Sequence, residues 1–599
     1  MQRKSIKIFS IFFLFTLVFI IALSCGGTGD KDKILTELSK YFDEIQTQNK
    51  DDLAEGADTT GITVPLEKAK NISELIEDGK ISVKTVSDNS APMFTSIINN
   101  AVLPSNIGRQ NFFAWTNPDN KYNLFYLTIE IPITESGKST NEKLRIVTKS
   151  VNFTPNDELW DKFKNKADKG KDIAAQIYGI AENSSGDITE VVTYKDKTSF
   201  KILDEKLEGS IYFWRVSNFT DFNSTTINNA KGSIMVMDSN GNNIPVSFYG
   251  FGSPDYDHDG KAEYADFCAG CHAVSHDGKK YAIVEHLGTD MSRHQSIHFG
   301  DISVSTTAPY RVPKDTSVYP PAGSPPDKKA CFVDFNPKNN DWVVFAVKGD
   351  IYVKKVSDTT DIGTALPSSV NTQKAETMPT WNPNGSIAFV RCEQLTNNEG
   401  FTIKGPANIY VYTPTNPANI AAGGTVTKLT ITDIYNNPDS DANNNNDMNY
   451  YPSFSPDGKW IAYTHHNMGT NGDSNYADPK QGAKAGINVY IVSVSGGSRY
   501  SVAPSGWIEF INSWSTWGKK GEWFDDNGVK SDIDIKETWI AFSSSYPLYP
   551  NINPNNDDMN IYIVRITFSG GTPSFSPPIP LPNANNPKTG EHLPMWTVK

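Results

Sequence analysis

The residues best equipped for chemistry lie in one stretch, residues 255–278, which reads DYDHDGKAEYADFCAGCHAVSHDG. Two thiols three residues apart, followed at once by an imidazole, make Cys268, Cys271 and His272 a C-x-x-C-H sequence. That spacing suits two thioether bonds to the vinyl groups of one c-type haem, with the adjacent histidine as proximal iron ligand. A zinc site or a redox-active cysteine pair is the competing chemistry. Zinc needs two further ligands, and His294 with His298 offers H-x-x-x-H, but far beyond the usual finger spacing and with His272 left idle. Just upstream, Asp255, Asp257, Asp259 and Gly260, with Asp266 at the twelfth position, follow the D-x-D-x-D-G pattern of a calcium loop. Alternating carboxylates repel unless a hard cation sits between them, and the alternative is a solvated turn. A weaker echo runs through Asp439, Asp441, Asn443 and Asp447.

A haem of this kind is attached outside the cytoplasm, so the ends and the composition matter next. Arg3, Lys4 and Lys7 precede an apolar run from Ile8 to Leu23, and Ala22-Leu23-Ser24-Cys25-Gly26 follows as a small-residue cleavage site. This resembles a bacterial lipoprotein signal, which implies cleavage after residue 24, acylation of Cys25 and a lipid-anchored body in the cell envelope, at the outer membrane or cell surface or on the periplasmic side. The run of about 16 apolar residues is short for a spanning helix. The 599 residues carry a net charge of −13. Loss of three basic residues with the signal leaves 52 against 68 acids, or −16. Such a surface argues against nucleic acid as a partner and suits a basic redox protein. Of the five cysteines, Cys331 and Cys392 remain unassigned, each in an apolar run, either as a disulfide or as buried thiols.

Around the motif the chain reads as mostly β. Residues 25–88 are a polar tether with helix-like pieces at Asp32 to Gln46 and Leu66 to Glu77. Residues 89–207 alternate short apolar runs with Asn, Gly, Pro and Ser turns, interrupted by a helical insert at Asn156 to Asp168. The spacing resembles a fibronectin- or immunoglobulin-like β-sandwich.

From residue 208 a repeat takes over. Its clearest copy is Tyr451 to Tyr463 (YPSFSPDGKWIAY), with others at Met378 to Phe389, Phe332 to Phe345, Ile511 to Phe542 and Cys271 to Ile283. Each copy is an inner strand, a tight turn in which Pro, Asp and Gly set the backbone, and a second strand. This resembles the TolB-like β-propeller repeat over residues 208–599. The resemblance implies six blades, one of them shared between Gly209 to Tyr249 and the final strand at His592 to Val598, so that the chain's two ends close the ring.

Aligning the turns puts Cys268, Cys271 and His272 at the start of an inner strand, which implies a haem at one mouth of the central channel. The second axial ligand is then expected from another inner strand: His592 first, with Met448, Met378 and Met595 as alternatives. His276 falls in the turn at the other end and is expected to be exposed. One-electron transfer is the leading function. A binding or scaffold propeller with structural or sensory haem is the second reading, and a peroxidase-like enzyme with an open iron position the third.

Overall fold

The computed structural model describes residues 45–47, 64–108, 113–155, 157–217, 231–241, 245–250, 267–287, 295–304, 311–319, 321, 330–367, 375–395, 403–432, 447–467, 487–507, 510–525, 528–530, 533–546, 548, 559–582, 584–585 and 589–598. The signal segment, Cys25 and both acidic loops up to Asp266 and Asn443 lie outside these residues, as does the helix expected from Asp32 except for its last positions. There, Ile45–Thr47 is a short strand running parallel to Arg145–Val147.

The front part is built on one branched eight-stranded sheet. Its long strands, Leu124–Glu135, Lys138–Thr148 and Ile173–Glu182, alternate apolar side chains between two faces. Leu124 and Tyr126 meet the helix Leu66–Glu77, which buries Ala69, Ile72 and Ile76 on that face. Phe125, Leu127, Ile129 and Ile131 point the other way, onto Trp160 and Phe163 of the helix Asp157–Lys166.

Downstream, antiparallel sheets of the expected kind follow one another around a common centre in a β-propeller-like arrangement. One contains Ser210–Ser217, Lys231–Asp238 and Val246–Gly250; the next Phe267–Val274, Lys280–Leu287, Gln295–Val304 and Arg311–Tyr319; the third starts at Ala330–Phe335. A nine-stranded sheet then contains both Ala375–Trp381 and Asp447–Phe454, its two halves joined by one parallel pairing, Ala407 to Met448. The last starts at Asn512–Trp517.

The C-terminal strand Thr589–Thr597 returns to pair antiparallel with Ser210–Ser217, from Ser210 opposite Thr597 to Ser217 opposite Thr589. The junction is tight. Gly209 sits at φ +85°, and a Cβ there would lie 1.7 Å from the Thr597 carbonyl oxygen. Trp596 Nε1 donates to the Glu208 carbonyl at 2.8 Å.

The front sheet and this closure share a single core, in which Leu127, Trp160 and Phe163 are clustered with Ile211, Trp539, Ile561 and Trp596. Glu205 adds ion pairs to Arg565 at 2.8 Å and Lys520 at 3.2 Å.

The turns explain why the repeat is legible. In Ser455-Pro456-Asp457-Gly458 the Ser455 hydroxyl donates to Asp457 Oδ1 at 2.5 Å and accepts from Trp460 N at 3.0 Å. In Ser275-His276-Asp277-Gly278 the same bonds recur at 2.6 Å to Asp277 and 2.9 Å from Lys280 N. The segment carrying C-x-x-C-H is therefore a propeller repeat, as its sequence implies. Cys331 and Cys392 are buried thiols, not joined in a disulfide.

Candidate functional site

Each inner strand has an irregularity at the same place. The pairing shifts between Ala269 and His272, Cys331 and Val333, Thr377 and Thr380, Tyr450 and Ser453, and Ser513 and Thr516; on the closing strand it shifts between the partners of Tyr212 and Trp214. Such bulges set two residues against one and bend the strand. At four of them a large side chain takes a left-handed backbone: Phe332 (φ 47°), Met378 (52°), Tyr451 (53°) and Trp514 (52°). That conformation costs roughly 1–2 kcal/mol per residue, and the ladders on either side hold it.

These four side chains line a cavity of about 130 Å³ between the inner strands. So do the next residues along, Val333, Pro379, Pro452 and Ser515, together with Pro594 of the closing strand and His272. Neighbouring strands are stitched in turn around it. Asn340 Nδ2 donates to Asp277 at 2.9 Å, Thr380 Oγ1 to Asp334 at 2.9 Å, and Asn382 Nδ2 to the Gly458 carbonyl at 3.0 Å. Trp517 Nε1 donates to the Ser453 carbonyl at 2.9 Å, Trp596 N to Thr516 Oγ1 at 3.3 Å, and Val598 N to the His276 carbonyl at 3.1 Å.

His272 is buried, 6% exposed, on the wall of this cavity. Cys268 and Cys271 precede it on the strand Phe267–Val274, with the Cys268 backbone opposite His286. In an unbroken strand, residues three apart face opposite sides. The bulge falls inside C-x-x-C-H and ends that strict alternation.

Among the residues expected to offer the second axial ligand, Met378 and Met595 line the cavity. Met448 does not line it and is fully buried in the same core cluster as Met378. His592 lies on the closing strand with its backbone opposite Trp214, and its side chain is outside the described residues. Asp255, Asp257, Asp259 and Asp266, and His294, are outside them too. Among the described residues no group of three or more His, Cys, Asp or Glu side chains is placed to hold a metal ion, and no helix is long and apolar enough to cross a membrane.

His276 departs from expectation. Although it sits in a turn, it is half-buried and lines the cavity, with Phe524 packed beside its ring at a centroid distance of 6.2 Å. It belongs to a polar group that the sequence reading missed, with Asp334 and Lys519 on the same walls. Asp334 Oδ2 accepts from Thr380 Oγ1 and from Trp381 N, both at 2.9 Å, and its Oδ1 accepts from Phe335 N at 2.9 Å. Burial pushes its carboxyl up, against these hydrogen bonds and the Lys519 charge.

Lys519 is 8% exposed. Burial pulls its ammonium down to about 8, with Asp334 opposing. Burial, and then the Lys519 charge, hold His276 well below the usual imidazole range. The signal for the missed residues was present: a carboxylate inside the apolar run FVDF, and a lysine at the turn position that holds Pro456 in the clearest repeat.

Two outcomes follow from these environments. Asp334→Asn should lose roughly 1–3 kcal/mol of stability by leaving a buried donor poorly matched, read from urea unfolding. Lys519 has a lowered folded pKa, so the unfolded chain binds more protons between the folded value, about 8, and the ordinary 10.5. Stability should therefore carry a penalty below pH 8 that is relieved as pH rises through this window. Lys519→Met should abolish that component, checked by comparing unfolding curves of the two chains at pH 8 and pH 10.

No family model matches the chain, and no curated protein does. Among solved structures it is similar to a putative TolB from Agrobacterium tumefaciens, at 12% identity over 65% of this chain and 99% of that one, with a TM-score of 0.30. It is similar to a thermostable family-43 glycoside hydrolase at 13% identity, covering 53% of this chain and 97% of that one, with a TM-score of 0.31. An ancestral GH74 enzyme is 10% identical, covers 80% of this chain and 59% of its own, and has a TM-score of 0.33.

Proposed function

We propose that the chain is an exported, lipid-anchored monohaem c-type cytochrome that transfers single electrons, built on a TolB-like ring of six blades behind a sandwich-like front domain. The blade count treats the nine-stranded sheet as two, since its halves share one bridge. Six inner strands then meet six links around the cavity. The sandwich-like reading of the front domain rests on its short, turn-bounded apolar runs, while its main sheet is covered by a helix on each face.

The observation that carries the functional reading is the C-x-x-C-H sequence on the strand Phe267–Val274, whose His272 is on the cavity wall. The residue types suit a haem: Cys268 and Cys271 would form the thioether bonds, His272 would ligate the iron, and Met378, Met595 or His592 would offer a second ligand. The cavity has the volume of about four waters at roughly 30 Å³ each, so the fit is to a macrocycle against the mouth and not inside. A bound haem supplies a one-electron iron couple, and a thioether opposite the histidine raises its potential relative to a second histidine.

The chain's own residues do the rest. The buried His272 strand fixes the imidazole, and the surrounding aromatic side chains exclude water. The acidic surface favours a basic redox partner, and Cys25 would hold the body at the envelope membrane. The Asp255 to Asp266 loop would brace the site with Ca²⁺ at oxygen ligands.

Mass and absorption spectra of the purified chain test this. One covalent haem per chain, six-coordinate, low-spin and reversibly reduced, is the expected result. A chain without covalent haem, or a high-spin iron that turns over peroxide, overturns the electron-transfer reading.

A further inference from the structure

We propose that the turn-side end of the central cavity is a carboxylate-binding site, with Lys519 Nζ holding the carboxylate and the aromatic ring of the channel holding the apolar remainder. This goes beyond the electron-transfer reading and stands on different residues.

The first ground is Lys519. It is more than nine-tenths buried, lines the cavity, and makes no hydrogen bond or ion pair among the described residues. An ammonium on a largely buried side chain, with only a nearby charge and no hydrogen-bonded partner, is costly to hold and is kept most readily where a ligand supplies a direct opposite charge. Asp334 shares the cavity, but its carboxylate is already taken up by Thr380, Trp381 and Phe335 and forms no ion pair with Lys519.

The second ground is His276. Its buried Nδ1 has no hydrogen-bond partner among the described residues, and it lines the same cavity. In the tautomer protonated there, it offers a neutral donor beside the ammonium.

The remaining wall selects the ligand class. Phe332 stands edge to face with Tyr451 at a ring-centroid distance of 5.8 Å, and Tyr451 packs tilted against Trp514 at 5.5 Å. Asp334 already brings one negative charge, so a dianion such as phosphate is disfavoured against a single carboxylate. About 130 Å³ is slightly less than the roughly 150 Å³ that takes a benzene molecule, which limits an enclosed ligand to a short chain.

The carboxylate has two sources: a free short-chain acid, or a propionate arm of a haem attached at Cys268 and Cys271. Titration of the purified full-length chain with sodium propionate, followed by calorimetry, tests the site. Saturable binding is expected, weakened at least tenfold in Lys519→Met, which keeps the unbranched stem but not the ammonium, and so removes a charge that destabilises the fold. His276→Phe should weaken it less. The two sources separate in the Cys268→Ser/Cys271→Ser chain. A site for a free acid binds propionate with and without haem, whereas one filled by the haem's own arm binds it only in the haem-free chain.

No saturable propionate binding in either chain, equal affinity in Lys519→Met, or phosphate binding as tight as propionate would each overturn the proposal. Circular dichroism and the unfolding midpoint of Lys519→Met establish that the variant is folded. Haem content is read separately by mass, so loss of the carboxylate site leaves the cytochrome reading intact, and the reverse holds too.

Discussion

A chain carrying Cys268→Ser and Cys271→Ser should emerge from a haem-maturing host with no covalently attached haem, where the parent carries one. The change is all or none, because a hydroxyl forms no thioether with a vinyl group. Denaturing mass spectrometry reads it directly. The fold should survive, since the strand Phe267–Val274 is held by backbone pairing to Lys280–Leu287 and by the bonds of its turn, from Ser275 to Asp277 and from Lys280 to Ser275. His272→Ala gives the complementary result: attachment through the two thiols persists, while the iron loses its proximal ligand and its absorption spectrum changes. A double-serine chain that keeps its haem after denaturation would sink the assignment of these thiols.

Gly209→Ala should be the most damaging single methyl group at the ring junction. The position is left-handed, which costs a side-chain-bearing residue about 1–2 kcal/mol. In addition, the new Cβ meets the Thr597 carbonyl oxygen at 1.7 Å, a backbone atom that cannot rotate away. Relief requires the final strand to shift from Ser210–Ser217, which disturbs Trp596 and the core it shares with the front sheet. A loss of roughly 3 kcal/mol or more is expected, in the range reserved for strain and core disruption. Gly170→Ala is the control: its backbone is also left-handed at φ +75°, but nothing lies within 4 Å of the added carbon. Equal unfolding midpoints for the two variants would show that the junction yields freely.

Sequence patterns exposed the architecture where local chemistry repeats. The S-P-D-G turn is legible because its hydrogen bonds lie within six residues, so Ser455, Asp457 and Gly458 announce it without help from the rest of the fold. The helix Leu66–Glu77 was equally plain from its apolar spacing. The inner end of the channel was not legible, for the opposite reason. Asp334 is defined by Thr380 and Trp381, which arrive more than forty residues later, and Lys519 and His276 come together only because the ring closes. His276 looked exposed because turns usually are. Phe524, from a distant part of the chain, packs beside its ring. The left-handed Phe332, Met378, Tyr451 and Trp514 carry no sequence signature either, since large side chains ordinarily avoid that conformation.

The shared core around Trp596 also sets a clock. Leu127, Trp160 and Phe163 are made early, yet the partners that cover them, Trp539, Ile561 and Trp596, are made last. At about 5–20 residues per second of synthesis, the interval from residue 207 to residue 596 is on the order of twenty to eighty seconds. Throughout it the core under the front sheet lacks Trp539, Ile561 and Trp596, and the strand Ser210–Ser217 lacks the neighbour that Thr589–Thr597 becomes. Ring closure therefore waits for the strand Thr589–Thr597, although its partner Ser210–Ser217 lies almost four hundred residues earlier.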